Sequence, residues 1–357
     1  MNSPASLAGH HTSGRVGAQR SGISAPAPGE IPVLLVGAGR RGLSAHVPAL
    51  RAAAGMRLAA IVETPERVAE LGAMPDLPAS LHDSVDSALA AGPVRMAIVA
   101  TPHDSHAPLA LRLLTAHIPT LLEKPPARTC DEFSQLRQAS RDNGTPLATI
   151  LTLHYQSRFR DFMKILRSPG LRDARVRINA QVPSWPGVGS WRQSRERAGG
   201  GVLIDLGYHY LELIVTCLGR PDTFSVRLRA QASAADVEDQ VRASLYFAAR
   251  GVTVEISLRS GIDLARHSEV MIATDREHIV ADSGRERPAS GEPPRPGHAQ
   301  PPTAAINQLT SLVAAGFLDG GGNWRRPLAR QAKVLALVDR MYAEAEYVTE
   351  ISDRVLV

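Results

Sequence analysis

The chain has 357 residues, of which 44% are hydrophobic and 21% charged, and its formal net charge is +5. This composition is close to that of ordinary globular proteins and excludes a wholly disordered chain, a collagen-like repeat and a coiled coil, while the length favours two domains. The two isolated cysteines, Cys130 and Cys217, make neither a disulfide framework nor a CxxC metal motif, so we expect a reducing compartment.

The sequence offers little support for a membrane or nucleic-acid function. No apolar run approaches the roughly 20 residues that cross a bilayer, and the first 29 residues contain no apolar stretch of signal-peptide length. The basic residues are scattered and aromatic residues make up only 4% of the chain, so no platform for stacked bases is predicted. We therefore expect a cytoplasmic protein that binds neither a membrane nor nucleic acid.

In chain order, the predicted elements give a tail and two domains. Residues 1–29 are rich in Ser, Gly, Ala and Pro and predict a disordered tail. Residues 30–153 alternate short apolar runs with helical stretches, a pattern typical of a doubly wound parallel sheet. The predicted strands are 33–36, 58–62, 96–100, 120–122 and 147–153; the predicted helices are 43–54, with Pro48 as a kink, 65–71, 84–91, 106–115 and 131–143.

In residues 154–357 the predicted helices and strands no longer alternate regularly, and this order predicts an α+β domain. Helices are predicted over 158–167, 200–218, 303–315 and 327–346. Strands are predicted over 174–181, 223–231, 241–247, 252–258, 270–274 and 278–281, and because most of them follow one another with short turns, the sheet is predicted to be antiparallel. The proline-rich segment 282–302 is predicted to be a surface loop.

A complete GxGxxG motif lies between the first predicted strand and the first predicted helix. In Gly37–Gly42 the glycines allow a tight turn, close approach of a pyrophosphate and close packing of helix on strand. Glu63 ends the second strand, where a carboxylate can accept from a ribose 2′-hydroxyl. The motif predicts a dinucleotide site, and Glu63 favours NAD; NADP stays open, because Arg40, Arg41 or Arg67 could reach a 2′-phosphate.

Two further strand ends belong to the same edge of the predicted sheet. The loop Thr101-Pro102-His103-Asp104-Ser105-His106 should face the ligand crevice, although Thr101 or Ser105 could merely cap the next helix. For His103 we favour a solvent-exposed position. The next strand ends in Glu123-Lys124-Pro125, where Lys124 could donate to a substrate oxygen beside a nicotinamide; the alternative is a surface ion pair of Glu123 with Lys124.

A glycine-rich helix start supplies the remaining candidates. Three glycines, 199–201, indicate that something bulky approaches the backbone there. Asp205, His209 and Glu212 then follow at spacings of four and three, which predicts one shared helix face and a carboxylate that orients and charges the imidazole of a general acid/base. A metal site is the weaker interpretation, since the set holds one histidine, and a histidine satisfied in the core is the structural alternative.

These motifs together resemble those of the Gfo/Idh/MocA oxidoreductases, a family named for glucose–fructose oxidoreductase, inositol dehydrogenase and a rhizopine-catabolism protein. The resemblance covers Ile31 to about Ala345 and is carried by the four segments just described, in the same order, with a weaker signature at Val237-Glu238-Asp239. It implies an N-terminal Rossmann domain and a C-terminal domain with a mostly antiparallel open sheet, whose exposed face makes homodimers or homotetramers.

The resemblance also implies residue roles. Lys124 matches the lysine that hydrogen-bonds the reacting oxygen, His209 the general acid/base, and Asp205 the aspartate that orients the substrate and tunes that histidine. The residues implied to bind the cofactor are Gly37, Gly39, Arg40, Arg41, Gly42, Glu63, Thr101, Pro102, His106, Glu123 and Lys124. Those implied to bind the substrate are Lys124, Arg158, Trp191, Arg192, Asp205 and His209.

The function implied is hydride transfer between NAD(P) and a secondary alcohol or ketone of a sugar, a cyclitol or a related small molecule. Three alternatives stay open. A redox-neutral lyase or glycosidase would keep its NAD without net turnover, an imine reductase would act in a natural-product pathway, and a nucleotide-sensing protein would have lost the chemistry. No metal is expected.

Overall fold

A computed structural model describes residues 29–74, 77, 79–183, 190–230, 236–274, 278–281, 303–320 and 324–351. The predicted tail, apart from Gly29, and the predicted loop 282–302 lie outside these residues. Within them, one hydrophobic core extends through both halves of the chain.

The N-terminal half forms the predicted parallel sheet. Within the described residues it has six parallel strands in the order β3-β2-β1-β4-β5-β6. The strands β1 and β4 are buried along their whole length, which explains their continuous apolar runs. The six strands are β1 (Ile31–Val36), β2 (Met56–Val62), β3 (Ser80–His82), β4 (Met96–Val99), β5 (Thr120–Leu122) and β6 (Leu147–Thr149).

Helices link these strands as crossover connections. The helix after β1 differs from the prediction: it begins with a π-helical segment, Gly42–His46, and Pro48 lies in the first turn of the α-helical part, where its missing N–H is not needed. The strand β3 is a further difference, since its three partly buried residues show no periodicity. The helices are α1 (Val47–Ala52), α2 (Pro65–Gly72), α3 (Val85–Ala91), α4 (His103–Thr115) and α5 (Cys130–Asp142).

The C-terminal half combines a layer of helices with a second sheet. A 3₁₀ turn at Thr152–Tyr155 leads into it, another lies at Trp191–Gln193, and a π-helical segment, Leu203–Gly207, precedes α8. The helices are α6 (Ser157–Arg167), α7 (Arg195–Ala198), α8 (Tyr208–Leu218), α9 (Thr303–Ala314) and α10 (Arg325–Ala343). The strands are β7 (Arg175–Pro183), β8 (Thr223–Ala230), β9 (Glu238–Phe247), β10 (Val252–Gly261), β11 (His267–Ala273), β12 (His278–Ala281) and β13 (Glu346–Val348).

The second sheet is mostly antiparallel, as predicted. Its order over the described residues is β12-β11-β7-β10-β9-β8-β13. The sheet is nevertheless not a plain meander, because β7 lies between β10 and β11 and pairs parallel with β10, and the unpredicted β13 pairs parallel with β8. Residues of β10 alternate between buried and partly exposed, so one face packs on the core and the other is open.

The helix start that carries Asp205 lies inside the protein. Among the described residues, one helical segment, Arg195–Leu218, is long and apolar enough to span a membrane, but 78% of its most apolar window is buried in the protein. Its apolar side chains include Leu211 and Ile214, which belong to the core. Burial against the core accounts for the hydropathy of this segment.

Candidate functional site

The glycine-rich turn after β1 packs tightly at both ends and is open in the middle. Gly37 has φ +95°, and a Cβ there would lie 2.7 Å from the carbonyl oxygen of Ala100. A Cβ on Gly42 would lie 2.3 Å from the oxygen of Gly37. At Gly39, by contrast, a Cβ would meet no atom within 4 Å. Gly37 and Gly42 are therefore needed for the close packing of the turn, whereas Gly39 leaves open space beside its backbone.

Groups suited to a dinucleotide surround this space. The carboxylate of Glu63 accepts the backbone N–H of Ala38 at 2.6 Å, so the predicted acid lies against the turn. The buried hydroxyl of Thr101 has no hydrogen-bond partner among the described residues. Arg40 is exposed at the turn, and Pro102 ends the loop after β4 as the N-cap of α4. An open cradle, an adjacent acid and an unused hydroxyl fit a bound dinucleotide.

Replacing Gly39 with alanine should separate cofactor binding from folding. Because the new methyl group would meet no protein atom, we expect the melting temperature of Gly39→Ala to match that of the wild type. The methyl group would occupy the space for the pyrophosphate, so we expect the Kd for NAD to rise about tenfold or more. Gly92→Ala is the matched control, since this exposed glycine is also surrounded by open space. An unchanged Kd for NAD in Gly39→Ala would contradict the prediction that the pyrophosphate binds beside Gly39.

Arg41 and Glu123 connect the glycine-rich turn to the end of β5, which precedes Lys124. Arg41 Nε donates to Glu123 Oε1 at 2.8 Å, and His46 Nε2 lies 2.8 Å from the same oxygen. Burial alone would raise the pKa of Glu123, but His46 and Arg41 hold it well below the usual range. Glu123 is thus an ionised, buried carboxylate turned toward protein groups, and it holds the helix start against the end of β5.

His106 fixes the two neighbouring strand ends. Its Nδ1 lies 2.8 Å from the Pro125 oxygen and its Nε2 lies 2.9 Å from the Thr101 oxygen. Burial lowers the pKa of His106, so the ring is neutral and donates to one carbonyl at a time. His106 thus connects the loop that follows β4 with the loop that follows β5 and fixes their relative position.

Lys124 and Asp205 form a partly buried ion pair between the two halves of the chain. Lys124 Nζ donates to Asp205 Oδ1 at 2.7 Å and also to the Asp205 carbonyl oxygen. Both side chains are about one-sixth exposed, at 15% and 16%. An ammonium group has three N–H donors, so two hold the lysine in place and one is left for a ligand. Lys124 is therefore an oriented donor rather than a surface lysine.

Trp191 and Arg192 cover the same aspartate. Arg192 Nε lies 3.6 Å from Asp205 Oδ2, and its guanidinium stacks on the Trp191 ring at 4.1 Å. Burial alone would raise the pKa of Asp205, but Lys124, His103 and Arg192 outweigh that effect and hold the pKa well below its ordinary value. Asp205 is thus an anion across the physiological pH range.

His209 lies near the same cluster as a neutral base. Burial, followed by the positive charges of Lys124 and Arg41, lowers the pKa of His209 well below its ordinary value, and Glu123 and Asp205 oppose the shift only in part. A neutral imidazole can accept a proton at neutral pH. The site thus contains an oriented ammonium donor and a base that is already deprotonated.

The predicted Asp205–His209–Glu212 face is wrong in detail. No hydrogen bond joins Asp205 to His209 in the described part of the chain, and Asp205 pairs with Lys124 instead. Glu212 is turned away and bonds to Gln331 and Thr216, and its second oxygen contacts His154. The reason is the π-helical segment Leu203–Gly207, whose wider turn rotates the residues that follow it away from ideal α-helical stacking.

Two of the three glycines are explained by close approaches of other parts of the chain. A Cβ on Gly200 would lie 2.0 Å from the Tyr342 hydroxyl, and one on Gly201 would lie 2.0 Å from the Glu238 carbonyl oxygen. The prediction that something bulky meets this backbone is therefore confirmed. The carboxylate of Glu238 accepts the N–H groups of Gly201 and Leu203 at 2.9 Å. Glu238, which the sequence marked only as part of a weak signature, holds the helix start that carries Asp205.

The predicted exposure of His103 is wrong, whereas the predicted role of Arg158 is not tested by its contacts. His103 is 3% exposed and not in solvent; its Nδ1 lies 2.9 Å from the Ala198 oxygen, and the Trp191 ring packs edge-on at 4.5 Å. Arg158 stacks on the ring of its neighbour Phe159 at 4.6 Å, and over the described residues no hydrogen bond or ion pair joins it to Asp205. The role of Arg158 in substrate binding stays a prediction.

Family models match both halves of the chain. The model described as "Oxidoreductase family, NAD-binding Rossmann fold" matches residues 31–150. The model of the GFO/IDH/MocA C-terminal domain matches residues 171–274. These two matches contain the glycine turn, Lys124, Asp205 and His209.

Named relatives are oxidoreductases. An oxidoreductase subunit assigned to UDP-kanosamine synthase in Amycolatopsis mediterranei is 32% identical over 251 residues, which are 63% of this chain and 67% of that protein. The scyllo-inositol 2-dehydrogenase (NADP(+)) of Bacillus subtilis is 24% identical over 156 residues, 43% of this chain and 42% of that enzyme. The chain thus spans about two thirds of the first relative and less than half of the second.

Solved structures share the fold. GenD2 from gentamicin A biosynthesis, in complex with NAD, has a TM-score of 0.74 at 23% identity. The superposition covers 90% of this chain and 95% of the GenD2 chain. The 3-ketoreductase KijD10 from Actinomadura kijaniata, solved with NADP, has a TM-score of 0.71 at 18% identity, with coverages of 89% and 99%. At these identities the likeness shows the fold alone.

Proposed function

The chain belongs to the Gfo/Idh/MocA family of NAD-binding oxidoreductases, and from that premise we propose that it transfers hydride between NAD and a secondary alcohol or ketone of a sugar or cyclitol. The observation that carries the proposal is the pairing of an oriented Lys124 donor with a neutral His209 in one site. Lys124 can stabilise the negative charge that develops on the oxygen, and His209 can accept the hydroxyl proton, while hydride leaves the carbon.

Lys124 stabilises charge on the reacting oxygen. Asp205 accepts hydrogen bonds from two of the N–H groups of Lys124, and the third N–H is left to donate to the reacting oxygen of the substrate. A fixed donor of this kind lowers the energy of a developing alkoxide more than a mobile one, since it needs no reorganisation during the reaction. The bound nicotinamide supplies the hydride acceptor or donor.

His209 moves the proton. In the oxidation direction its neutral ring accepts the proton of the substrate hydroxyl, and in the reduction direction the protonated ring returns it. The positive charges of Lys124 and Arg41 keep the free imidazole deprotonated. Asp205 contributes through Lys124, because it contacts the ammonium group and not the imidazole.

The dinucleotide end supports NAD over NADP. The carboxylate of Glu63 lies at the end of β2, bonded to the turn, where it would repel a 2′-phosphate. Two of the three arginines that could offset this repulsion form ion pairs within the chain, Arg41 with Glu123 and Arg67 with Glu70. The proposed preference is therefore set by Glu63.

Names of relatives support the substrate class. Besides the inositol dehydrogenase, a D-glucoside 3-dehydrogenase of Escherichia coli is 27% identical over 208 residues. Both names describe oxidation of a ring hydroxyl. We therefore place a polyhydroxylated ring in the site rather than a linear alcohol.

A substrate panel tests the proposal. The protein is mixed with NAD or NADP and with scyllo-inositol, myo-inositol, D-glucose, a methyl D-glucoside and UDP-glucose, and absorbance at 340 nm is followed. We expect reduction of NAD by at least one of these compounds. Product without net change at 340 nm, from protein that retains NAD, would favour the redox-neutral lyase or glycosidase instead. Reduction of neither cofactor would contradict the proposal.

The open face of the second sheet is the proposed contact between copies of the chain. A groove of about 810 Å³ crosses it, lined by both signs of charge, including Arg177, Arg242 and Glu255. Mixed charges can pair across a two-fold axis. We propose a homodimer or homotetramer built on this face, in the cytoplasm, and sedimentation of the purified protein would report its mass in solution.

A further inference from the structure

A second imidazole lies beside the Lys124–Asp205 pair. His103 begins α4, after the three-residue loop that follows β4, and is 3% exposed. The rings of Trp191 and His106 lie 4.5 Å and 5.5 Å from it. A buried histidine held this closely, between aromatic packing and the catalytic ion pair, has a fixed orientation.

The hydrogen bond to Ala198 fixes the tautomer of this ring. The Ala198 carbonyl oxygen can only accept, so the proton lies on His103 Nδ1, 2.9 Å away. Burial lowers the pKa of His103 to about 3, and the nearby Asp205 only partly opposes that effect. The ring is therefore neutral at physiological pH, and its Nε2 keeps a free lone pair.

His103 and Asp205 line one small cavity. Its volume is about 40 Å³, and its other walls include Arg192, Gly200 and Ser260. A cavity of this size holds a water molecule or a hydroxyl group but not a sugar ring. Because Asp205 forms part of its wall, the cavity adjoins the Lys124–Asp205 pair, and its polar walls suit a substituent of the substrate rather than its ring.

We propose that His103 is a specificity-determining residue whose Nε2 accepts a hydrogen bond from a substrate hydroxyl seated in this cavity, next to the carbon that reacts. The inference rests on the proposed function and adds to it a requirement for a second hydroxyl. An uncharged acceptor suits this place, because Asp205 is already an anion committed to Lys124. A site that hydrogen-bonds a hydroxyl strongly rejects the analogue that lacks it, since the buried acceptor is then left unpaired.

Two substitutions of His103 separate this role from a structural one. In His103→Asn the amide N–H can still donate to the Ala198 oxygen, but no acceptor remains at the Nε2 position. In His103→Gln the amide reaches the Nε2 position instead. For the panel compound that is turned over, we expect KM to rise about tenfold in His103→Asn, with a smaller change in kcat, and to be restored in part in His103→Gln. Binding of NAD should be unchanged in both variants.

Deoxy analogues test direct contact. Among the monodeoxy analogues of the turned-over compound, one should lose kcat/KM in the wild type but show no additional loss in His103→Asn, because the variant has already lost the acceptor. A merely structural histidine would give the same penalty for each analogue in both proteins. That result, or a wild-type KM in His103→Asn, would overturn the inference.

A measurement without turnover keeps this test separate from that of the proposed function. With NAD present, the ¹⁵N resonance of His103 Nε2 is recorded before and after addition of each panel compound. We expect it to shift with the compound that binds, while Nδ1 changes little. If no compound is turned over, the proposed function fails, and the absence of any shift at Nε2 would then overturn this inference as well.

Discussion

Replacing Lys124 with methionine is expected to abolish turnover while NAD binding stays nearly intact. Methionine keeps the length of the side chain but removes the donor aimed at the reacting oxygen. Loss of one such donor costs about 10²–10³ in kcat in other enzymes. Lys164→Met is the matched control, since Lys164 is exposed on α6, and it should behave as wild type.

The stability of the Lys124 variant must be followed alongside its activity. Lys124→Met leaves Asp205 without its closest cation, and breaking a buried pair in this way costs about 3–5 kcal/mol, somewhat less here because Arg192 remains 3.6 Å away. The double variant Lys124→Met/Asp205→Asn removes both charges, so it should recover much of the free energy of unfolding and none of the activity. A well-folded Lys124→Met protein with wild-type kcat would remove Lys124 from the mechanism.

Replacing His209 with asparagine is the second large effect we expect. Loss of a general base costs about 10²–10⁴ in rate. His117→Asn is the matched control, because His117 is exposed and has a φ of +57°, a conformation that asparagine tolerates. Initial rates at saturating NAD would measure both variants. A His209→Asn enzyme as active as His117→Asn would show that the proton leaves by another route.

The pH dependence of the wild type follows from the same residue. The base works when deprotonated, and burial together with Lys124 and Arg41 lowers the pKa of His209 well below its ordinary value. In the oxidation direction kcat/KM should therefore stay level through neutral pH and fall only in the acid range, as protons add to the imidazole. In Arg41→Gln a positive charge is lost, so the acid limb should move to higher pH. If the acid limb of the kcat/KM profile were the same in Arg41→Gln as in the wild type, an electrostatic influence of Arg41 on His209 would be excluded.

The sequence was sufficient to predict five of the six strands of the first sheet and the glycine-rich turn after β1, and it singled out both Lys124 and Asp205, although not their ion pair. Strands β1, β2 and β4 are apolar runs, the glycine motif follows β1 and Lys124 follows the short buried strand β5, so the parallel topology brings both to one edge of the sheet. The three glycines before Asp205 correctly indicated a close backbone approach. Tyr342 and Glu238, which make that approach, could not be identified, because they come from distant parts of the chain.

The remaining misses have two physical origins. Strands β3 and β13 each have three residues, too few to show a period, and they exist because a neighbouring strand offers free backbone groups. The orientation of Glu212 and the burial of His103 depend on details that spacing does not encode. A π-helical segment rotates the first away from the site, and a tryptophan 88 positions further along covers the second.

A crystal structure of the protein with NAD and a turned-over panel compound would show whether Lys124 and His209 contact the same reacting oxygen. We expect one oxygen of the bound compound to lie within hydrogen-bonding distance of both Lys124 Nζ and the His209 ring, with the nicotinamide against the carbon that bears this oxygen. A compound bound in the cleft with its reacting carbon away from either side chain would contradict this expectation.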